Sequence, residues 1–286
     1  MHESACKVSV IVPTHNRATV LGATLDAILA QAFDDFEVIC VDDSSSDGTP
    51  EVLATYGDRI RALRVEHRSP ARTRNAGAAM ARGELLLFTD DDCAVPEGWI
   101  AAMVNRFEHQ DCDALSGGFA TKSMATRVER YQHYRMRLLF GDKAKRVRAC
   151  PVINFLIPKE VFDDAGGFAN ELDFVLEDWE FCHRLRAKGY CIRYDPSVKV
   201  THAYQTDWPL IRRRLMDTAA GGIRLCRMTG ASPHLMMMRS KLKWLSSPVW
   251  ILWHYPLALY GMSVRVETAF FIARLRAYIR MLVGKA

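Results

Sequence analysis

The sequence lacks several short motifs that would assign a cofactor or a metal directly. No G-x-G-x-x-G follows the first apolar segment, and no G-x-x-x-x-G-K-[ST] occurs anywhere, which disfavours a dinucleotide oxidoreductase and a P-loop NTPase. Eight cysteines are present, but none forms a C-x-x-C pair, so a zinc cluster is not expected. A phosphate-bearing ligand must therefore be bound in another way.

We also expect no secretory leader, and the net charge is only mildly positive. The apolar run Val8–Val12 is too short for the core of a signal peptide, and the cysteines suggest no disulfide framework, so we expect a reducing, cytoplasmic compartment. The net charge of +5 is too small to indicate a nucleic acid partner. With 286 residues, 49% of them hydrophobic, the chain should fold as one large domain or as one domain with an appendage.

Short apolar segments alternate with helical patterns through the N-terminal third of the chain. The predicted strands are Val8–Pro13, Phe36–Val41, Ile60–Val65 and Leu85–Thr89. The predicted helices are Thr19–Gln31, Pro50–Tyr56 with Thr49 as N-cap, and Ser69–Ala81 with Gly83 as its stop. This alternation predicts an α/β fold, with a mostly parallel sheet flanked by helices.

Polar residues follow three of these strands, in the segments Thr14–Arg17, Asp42–Ser46 and Asp90–Asp92. In parallel sheets the ligand binds beyond the carboxyl ends of the strands, so the three loops should converge on one site. Three adjacent aspartates after a buried strand repel one another and require a positive partner. Magnesium and manganese prefer such oxygen ligands and bridge them to substrate phosphates, which predicts a Mg²⁺ or Mn²⁺ site.

The segments VSVIVPTHNR, FEVICVDDSSSDGT and ARTRNAGAAMARGELLLFTDDD resemble the nucleotide-sugar half of a GT-A fold glycosyltransferase of family 2. The later segment LEDWEFCHRLRAKGY resembles the acceptor-side ED motif of that family. The resemblance covers roughly residues 7–202. It implies a GT-A catalytic domain at 1–205, with a nucleotide-sugar half at about 1–118 and an acceptor half at about 119–205, followed by a C-terminal helical region at 206–286.

The resemblance implies roles for individual residues on the donor side. The positions it assigns to nucleotide-sugar binding are Pro13, Thr14, Asn16, Arg17, Asp42, Asp43, Arg74, Asp90 and Asp91. Asp92 would be the metal ligand, Asp90 would reach the ribose or the metal, and His202 would contact the metal or the diphosphate. An Asx-type turn capped by Asp42 and Asp43 is the alternative to a base contact.

On the acceptor side, the resemblance makes Asp178 the general base and gives Glu177 a direct role beside it. The alternative is that both carboxylates compensate the dipole at the start of a helix. Trp179 would either stack on the acceptor sugar or pack in the core. Asn154 would face the donor sugar, and the Gly166-Gly167 turn would line the acceptor site.

The implied activity is metal-dependent, inverting transfer from a nucleoside-diphosphate sugar, with a UDP-sugar favoured. The acceptor would be the hydroxyl of a saccharide or a lipid-linked saccharide, in cell-surface polysaccharide or glycolipid synthesis. The alternatives are a sugar nucleotidyltransferase and a non-catalytic nucleotide-sugar-binding module. The loop THNR lacks the Gly-rich basic character of the first, and retention of both acidic motifs argues against the second.

Beyond His202 the family pattern fades. A helix is predicted at Trp208–Met228, and Trp244–Val264 contains no Asp, Glu, Lys or Arg over 21 residues. Its two prolines and its many Trp and Tyr residues favour the membrane interface over a span. Val266–Val283 predicts a basic amphipathic helix. We therefore expect peripheral attachment to the cytoplasmic face of the inner membrane, with a spanning helix, a buried hairpin or a dimer contact as alternatives.

Overall fold

The computed structural model of the chain describes residues 6–171, 176–203, 208–238 and 260–283. The chain divides into two compact units. Unit 1 comprises Met1–Ala120 and Asp142–Ala203, and unit 2 comprises Thr121–Gly141 and Tyr204–Ala286.

Strands and helices alternate from β1 to β4, as the sequence predicts. Beyond β4, some strands follow one another with no helix between them. The strands are β1 Cys6–Thr14, β2 Phe36–Asp43, β3 Arg61–Val65, β4 Gly83–Thr89, β5 Cys93–Ala94, β6 Ala114–Thr121, β7 Lys145–Arg146, β8 Asn154–Pro158 and β9 Ile192–His202. The helices are α1 Leu21–Leu29, α2 Thr49–Ala54, α3 Pro70–Met80, α4 Trp99–Glu108, α5 Arg127–Phe140, α6 Lys159–Asp164, α7 Glu177–Ala187, α8 Trp208–Met228 and α9 Tyr260–Leu282.

Within the described residues the strands form one mixed sheet in the order β3-β2-β1-β4-β8-β6-β9-β5, with β7 on β9. β1 pairs in parallel with β2 and β4, and β2 pairs in parallel with β3, so the predicted parallel strands are confirmed for β1–β4. β8 runs antiparallel to β4 and β6. After β3 the chain crosses to the other side of β1, which opens a crevice beyond the carboxyl ends of β1 and β4.

The main core lies between the sheet and helices that pack on it. β1 directs Val8, Val10 and Val12 to one face because side chains alternate along a strand, and α1 covers them with Leu21 and Leu25. All five side chains are fully buried. Each contributes about 1.5–3 kcal/mol of burial free energy, which holds the ends of β1 and β4 in register for the loops that follow.

Two residues predicted to mark the ends of helices, Thr49 and Gly83, have other positions in the structure. Thr49 is the first residue of α2 and Gly48 precedes it. The Thr49 hydroxyl does not cap the helix, because it donates to Asp47 Oδ1 at 2.5 Å and accepts the N–H of Arg17 at 2.9 Å. Gly83 starts β4 and does not end α3. A Cβ at this position would lie 2.5 Å from the backbone nitrogen of Ser9, so the close approach of β4 to β1 requires glycine there.

Unit 2 is helical among its described residues, apart from the end of β6. Tyr131 of α5, Ile211 and Leu215 of α8, and Val266 of α9 form its buried cluster. The predicted division placed residues 121–141 in the acceptor half, whereas this cluster joins α5 to the C-terminal helices. The helix predicted at Trp208–Met228 is confirmed.

The uncharged stretch Trp244–Val264 lies largely outside the described residues, which resume at residue 260. Over the part of the chain that the structure describes, no helix combines the length and the apolarity needed to cross a bilayer.

We predict that Gly77→Ala destabilises the fold by about 1–3 kcal/mol, because extra atoms in a packed interface force the backbone apart. Gly77 lies on α3, and a Cβ there would lie 2.6 Å from Ile11 Cγ2 and 3.2 Å from Val41 Cγ2. The measurement is the free energy of unfolding from urea denaturation. The matched control is Gly22→Ala in α1, where the nearest atom is the Tyr56 hydroxyl at 3.5 Å and no loss is expected. Equal stability of the two variants would contradict the predicted packing of α3 on the sheet.

Candidate active site

Asp91 and Asp92 each face a basic side chain supplied by another part of unit 1. Arg17, in the loop after β1, places Nε 3.3 Å from Asp91 Oδ1 and Nη2 3.7 Å from Asp92 Oδ2. His202, the last residue of β9, places Nε2 3.2 Å from Asp92 Oδ1. The guanidinium of Arg17 is therefore shared by Asp91 and Asp92, and Asp92 also lies against a ring nitrogen of His202, which allows these carboxylates to be closely spaced.

The approach of His202 to Asp92 follows from strand pairing. Directly after the aspartates, β5 pairs antiparallel with the end of β9, and Cys93 lies opposite His202. This pairing carries the imidazole to the aspartates although the two segments are far apart in the sequence.

Asp91 and Asp92 have different pKa values because their surroundings differ. Burial raises the pKa of Asp91 to about 6, with Asp90 and Asp92 adding to the effect and the Thr14 hydroxyl and Arg17 opposing it. Burial would also raise the pKa of Asp92, but His202 and Arg17 outweigh it and hold this pKa below its ordinary value. Asp92 is therefore the better anionic ligand of the two at neutral pH.

Arg74 of α3 joins the donor-side aspartates to helix α7. Its Nη2 lies 2.9 Å from Asp90 Oδ1 and its Nη1 lies 3.0 Å from Glu177 Oε1, and its side chain is only 8% exposed. Burial would lower the pKa of Arg74, but Asp90 and Glu177 outweigh it and raise the pKa above its ordinary value. The guanidinium thus remains charged and bridges two carboxylates from different elements.

Asp178 follows Glu177 in the first turn of α7 and is partly buried. Burial, together with the charge of Glu177, raises the pKa of Asp178 well above its ordinary value, and Arg74 opposes the rise. Leu176 precedes the helix at φ +68, an uncommon conformation for a branched side chain. A carboxylate with a raised pKa at a partly open helix terminus is suited to accept a proton.

Trp179 is 40% exposed, which excludes the second of the two alternatives given for it, packing in the core. The buried face of α7 is formed by Phe181, Cys182 and Leu185. Trp179 lies outside this face. Residues 172–175, directly before Leu176, lie outside the described residues.

The Gly166-Gly167 turn has the positive φ values that the sequence suggested, +79 and +64. Asn75, next to Arg74 on α3, fixes the residue after this turn: its Nδ2 donates to Phe168 O at 2.8 Å, and its Oδ1 accepts from Phe168 N at 2.9 Å. No role is predicted for Asn75 from the sequence, and the signal that could have found one is its position directly after Arg74.

Both carboxylate oxygens of Asp43 accept hydrogen bonds from the loop between β3 and α3 and from Thr73 of α3. Its Oδ1 accepts the N–H groups of His67 and Arg68 at 2.7 and 2.8 Å, and its Oδ2 accepts Ser69 N and Thr73 Oγ1, both at 2.9 Å. These donors outweigh burial and lower the pKa of Asp43. Its contact with a nucleotide base stays a prediction, and the structure gives this carboxylate a second role in positioning the start of α3.

Asp42 accepts Arg64 Nη1 at 2.6 Å and Ser45 N at 3.0 Å, which is the turn arrangement that the sequence allowed as an alternative. Asn16 has φ +54, and its Oδ1 accepts Ser46 N at 2.8 Å, so it ties the loop after β1 to the loop after β2. In this arrangement the amide of Asn16 shapes the crevice.

The remaining donor-side residues lie at the end of β1. Thr14 is buried and Pro13 is half-buried beside the crevice.

Asn154 does not face an open site. It is fully buried at the start of β8, accepts Trp99 Nε1 at 3.0 Å and donates to Gly118 O and Val198 O at 3.0 and 3.1 Å. The proposed contact with the donor sugar is therefore wrong, because backbone carbonyls and Trp99 already use this amide.

No three His, Cys, Asp or Glu side chains already form a metal cage in the described ranges. The residues nevertheless fit a divalent ion that is completed by substrate. Asp92 Oδ1 and His202 Nε2 are 3.2 Å apart, and adjacent ligands of an octahedral ion with bonds of about 2.1 Å lie about 3 Å apart. Such ions usually take one or two protein carboxylates and fill their other positions with phosphate oxygens and water.

Comparison with known proteins identifies the class of this fold and site. The chain matches glycosyl transferase family 2 over residues 9–169, more than half of its length, and belongs to that family. It is therefore a glycosyltransferase with a GT-A fold.

Two relatives and one solved structure resemble this chain over most of its length, at 19–26% sequence identity. Glycosyltransferase AglE of Haloferax volcanii is 26% identical over 72% of this chain and 70% of its own length. The glucosyl-dolichyl phosphate glucuronosyltransferase of the same organism is 24% identical over 74% of this chain and 77% of its own. The mannosyltransferase PcManGT from Pyrobaculum calidifontis, solved with GDP-Man and Mn²⁺, superimposes with a TM-score of 0.69 at 19% identity, covering 99% of this chain and 89% of that one.

We predict that Arg74→Met destabilises the protein by about 3–5 kcal/mol, because it leaves Asp90 and Glu177 without the cation they share. The measurement is urea denaturation at neutral pH. Arg72→Met is the control on the same helix. Arg72 is exposed and makes one 3.3 Å bond to Asn170 O, so a change within about 0.5 kcal/mol is expected. An Arg74→Met protein as stable as the Arg72→Met protein would show that the bridge contributes nothing.

Proposed function

We propose that this chain transfers a sugar from a nucleoside-diphosphate sugar to a hydroxyl of a saccharide or lipid-linked saccharide, with inversion at the anomeric carbon and with a divalent ion. One arrangement carries the proposal: Asp178, with a raised pKa, lies next to the Arg74 bridge between Glu177 and the strand-end aspartate Asp90. The buried guanidinium of Arg74 thereby connects the helix turn that carries Asp178, the proposed proton acceptor, to the aspartates proposed to lie near the phosphates.

On the donor side, we assign the diphosphate to the crevice between the loop after β1 and Asp90–Asp92. Arg17, whose side chain is 39% exposed, is available to exchange its aspartate partners for phosphate oxygens. The base would lie near Asp42 and Asp43. A UDP-sugar was predicted from the sequence, and a GDP-sugar is also tested because the PcManGT structure contains GDP-Man.

Asp92 would hold the ion, with Asp90 or His202 as an additional ligand. When bound, Mg²⁺ or Mn²⁺ would offset the negative charge that develops on the departing diphosphate. The Mn²⁺ in the PcManGT structure supports this choice of metal.

The chemical step is a single displacement. The acceptor oxygen forms a bond to the anomeric carbon while the bond from that carbon to the diphosphate oxygen breaks, and Asp178 takes the proton of the hydroxyl. The bonding electron pair leaves with the nucleoside diphosphate. Glu177 and Arg74 position Asp178 and set its charge, and the exposed ring of Trp179 is available to stack against the acceptor sugar.

For the acceptor we favour a saccharide on a lipid carrier, used in cell-surface polysaccharide or glycolipid synthesis. The H. volcanii relative, which by its name acts on glucosyl-dolichyl phosphate, supports this class. A cytoplasmic enzyme attached to the inner leaflet would meet such an acceptor.

We predict that Asp178→Asn lowers kcat by about 10²–10⁴-fold and leaves the Kd of the donor unchanged, because it removes only the proton acceptor. The measurements are release of nucleoside diphosphate and calorimetric binding of UDP- and GDP-sugars with and without Mn²⁺. Asp58→Asn, an exposed substitution of the same type, should retain full activity.

Full turnover by Asp178→Asn would refute the assignment of the base while leaving the transferase proposal standing. If no UDP-, GDP-, CMP- or dTDP-sugar binds the wild-type chain, with or without Mn²⁺, the proposed donor class itself is wrong.

We also predict the sign of the pH dependence. Asp178 must be unprotonated to accept the proton, so kcat falls as the pH drops through its pKa, which lies above the ordinary value of 3.8. Glu177→Gln removes a charge that raises this pKa, so the acidic limb of the pH profile should move to lower pH. Glu51→Gln, an exposed control, should leave the limb in place. A limb that moves to higher pH in Glu177→Gln would contradict the proposed electrostatics.

A further inference from the structure

Helix α9 exposes an aliphatic stripe. Ile272, Leu275, Ile279 and Leu282 are 43%, 36%, 49% and 57% exposed. Their spacing of three, four and three residues places them along one side of the helix. We call these four residues the α9 stripe.

The opposite side of the same helix is already buried. Val266 and Ala273 are 2% and 7% exposed, and Phe270 packs against the cluster that Val266 forms with α5 and α8. A helix that packs on one side only normally presents polar residues on the other. α9 is instead apolar on two opposite sides, which indicates that the stripe has a binding partner of its own.

A neighbouring segment enlarges this apolar surface. Residues 233–238 are helical and lie beside α9, because His234 Nδ1 is hydrogen-bonded to the Tyr278 hydroxyl and their rings are in edge contact. This segment exposes Leu235 and Met238, at 47% and 63%. Exposed apolar residues grouped on adjoining helices mark an interaction surface more often than scattered ones do.

The charge around the stripe identifies the kind of partner. Arg276 and Arg280, one turn apart, and Arg265 are all exposed on α9. No Asp or Glu follows Glu267 in the sequence. Aliphatic side chains beside exposed arginines fit the boundary between lipid headgroups and acyl chains, where the apolar side enters the bilayer and guanidinium groups meet anionic headgroups.

We propose that the α9 stripe, with Arg276 and Arg280, docks on an anionic membrane surface. The proposal names the surface that would provide the peripheral attachment, and it stands independently of the transfer reaction. A second copy of the chain could also cover aliphatic residues, but it would bring the same arginines against one another, which is unfavourable.

The test is co-sedimentation of the full chain with vesicles of phosphatidylcholine alone and of phosphatidylcholine containing phosphatidylglycerol. We expect binding to the anionic vesicles, at least tenfold weaker binding to the neutral ones, and loss of binding at high salt. Leu275→Glu/Ile279→Glu should abolish binding, and Arg276→Gln/Arg280→Gln should weaken it severalfold. Arg59→Gln/Arg148→Gln, which removes two exposed charges of unit 1, should bind like the wild type.

Circular dichroism and donor binding check that each variant is folded, and Leu275→Gln/Ile279→Gln replaces the glutamate variant if that one unfolds. Equal binding to both kinds of vesicle, or unchanged binding of the stripe variants, would overturn the proposal. So would a wild-type chain that ignores vesicles but forms a dimer, measured by analytical ultracentrifugation, that the stripe substitutions dissociate. None of these outcomes bears on whether Asp178 is the base.

Discussion

The buried guanidinium of Arg74 is the interaction on which the candidate site depends. It is held by Asp90 at the end of β4 and by Glu177 at the start of α7, at 2.9 and 3.0 Å. A buried cation requires such partners, and each carboxylate in turn requires the cation, so none of the three can be moved alone. This mutual requirement fixes the distance between the end of β4 and the start of α7.

The same network sets the chemistry of its neighbours. Arg74 and Glu177 act in opposite directions on the pKa of Asp178, and burial leaves the balance well above the ordinary value. Among the strand-end aspartates, Asp92 stays anionic beside His202 and Arg17 while burial raises the pKa of Asp91 to about 6. Differences in burial and neighbours thus give similar carboxylates different pKa values, on which the proposed roles of Asp92 and Asp178 depend.

The sequence by itself determined the parallel half of the sheet and the sheet edge at which the candidate site lies. β1–β4 are confirmed because apolar periodicity and turn residues are local signals, and the carboxyl-edge rule then predicts that the loops carrying Arg17, Asp42 and Asp90 lie at one edge of the sheet. The family followed from the same segments and is confirmed. Helix boundaries at Thr49 and Gly83 were less accurate, because a cap or a close approach depends on one contact and leaves no periodic pattern.

Only the tertiary structure decided which polar side chains serve the site and which serve the fold. Asn154 looked like a sugar contact, but it is buried and bonded to Trp99 and two carbonyls. The pairings of Arg74 with Glu177 and of Asp92 with His202 join residues far apart in the chain. No local pattern encodes such partners, because they depend on which strands and helices are brought together when the sheet is complete.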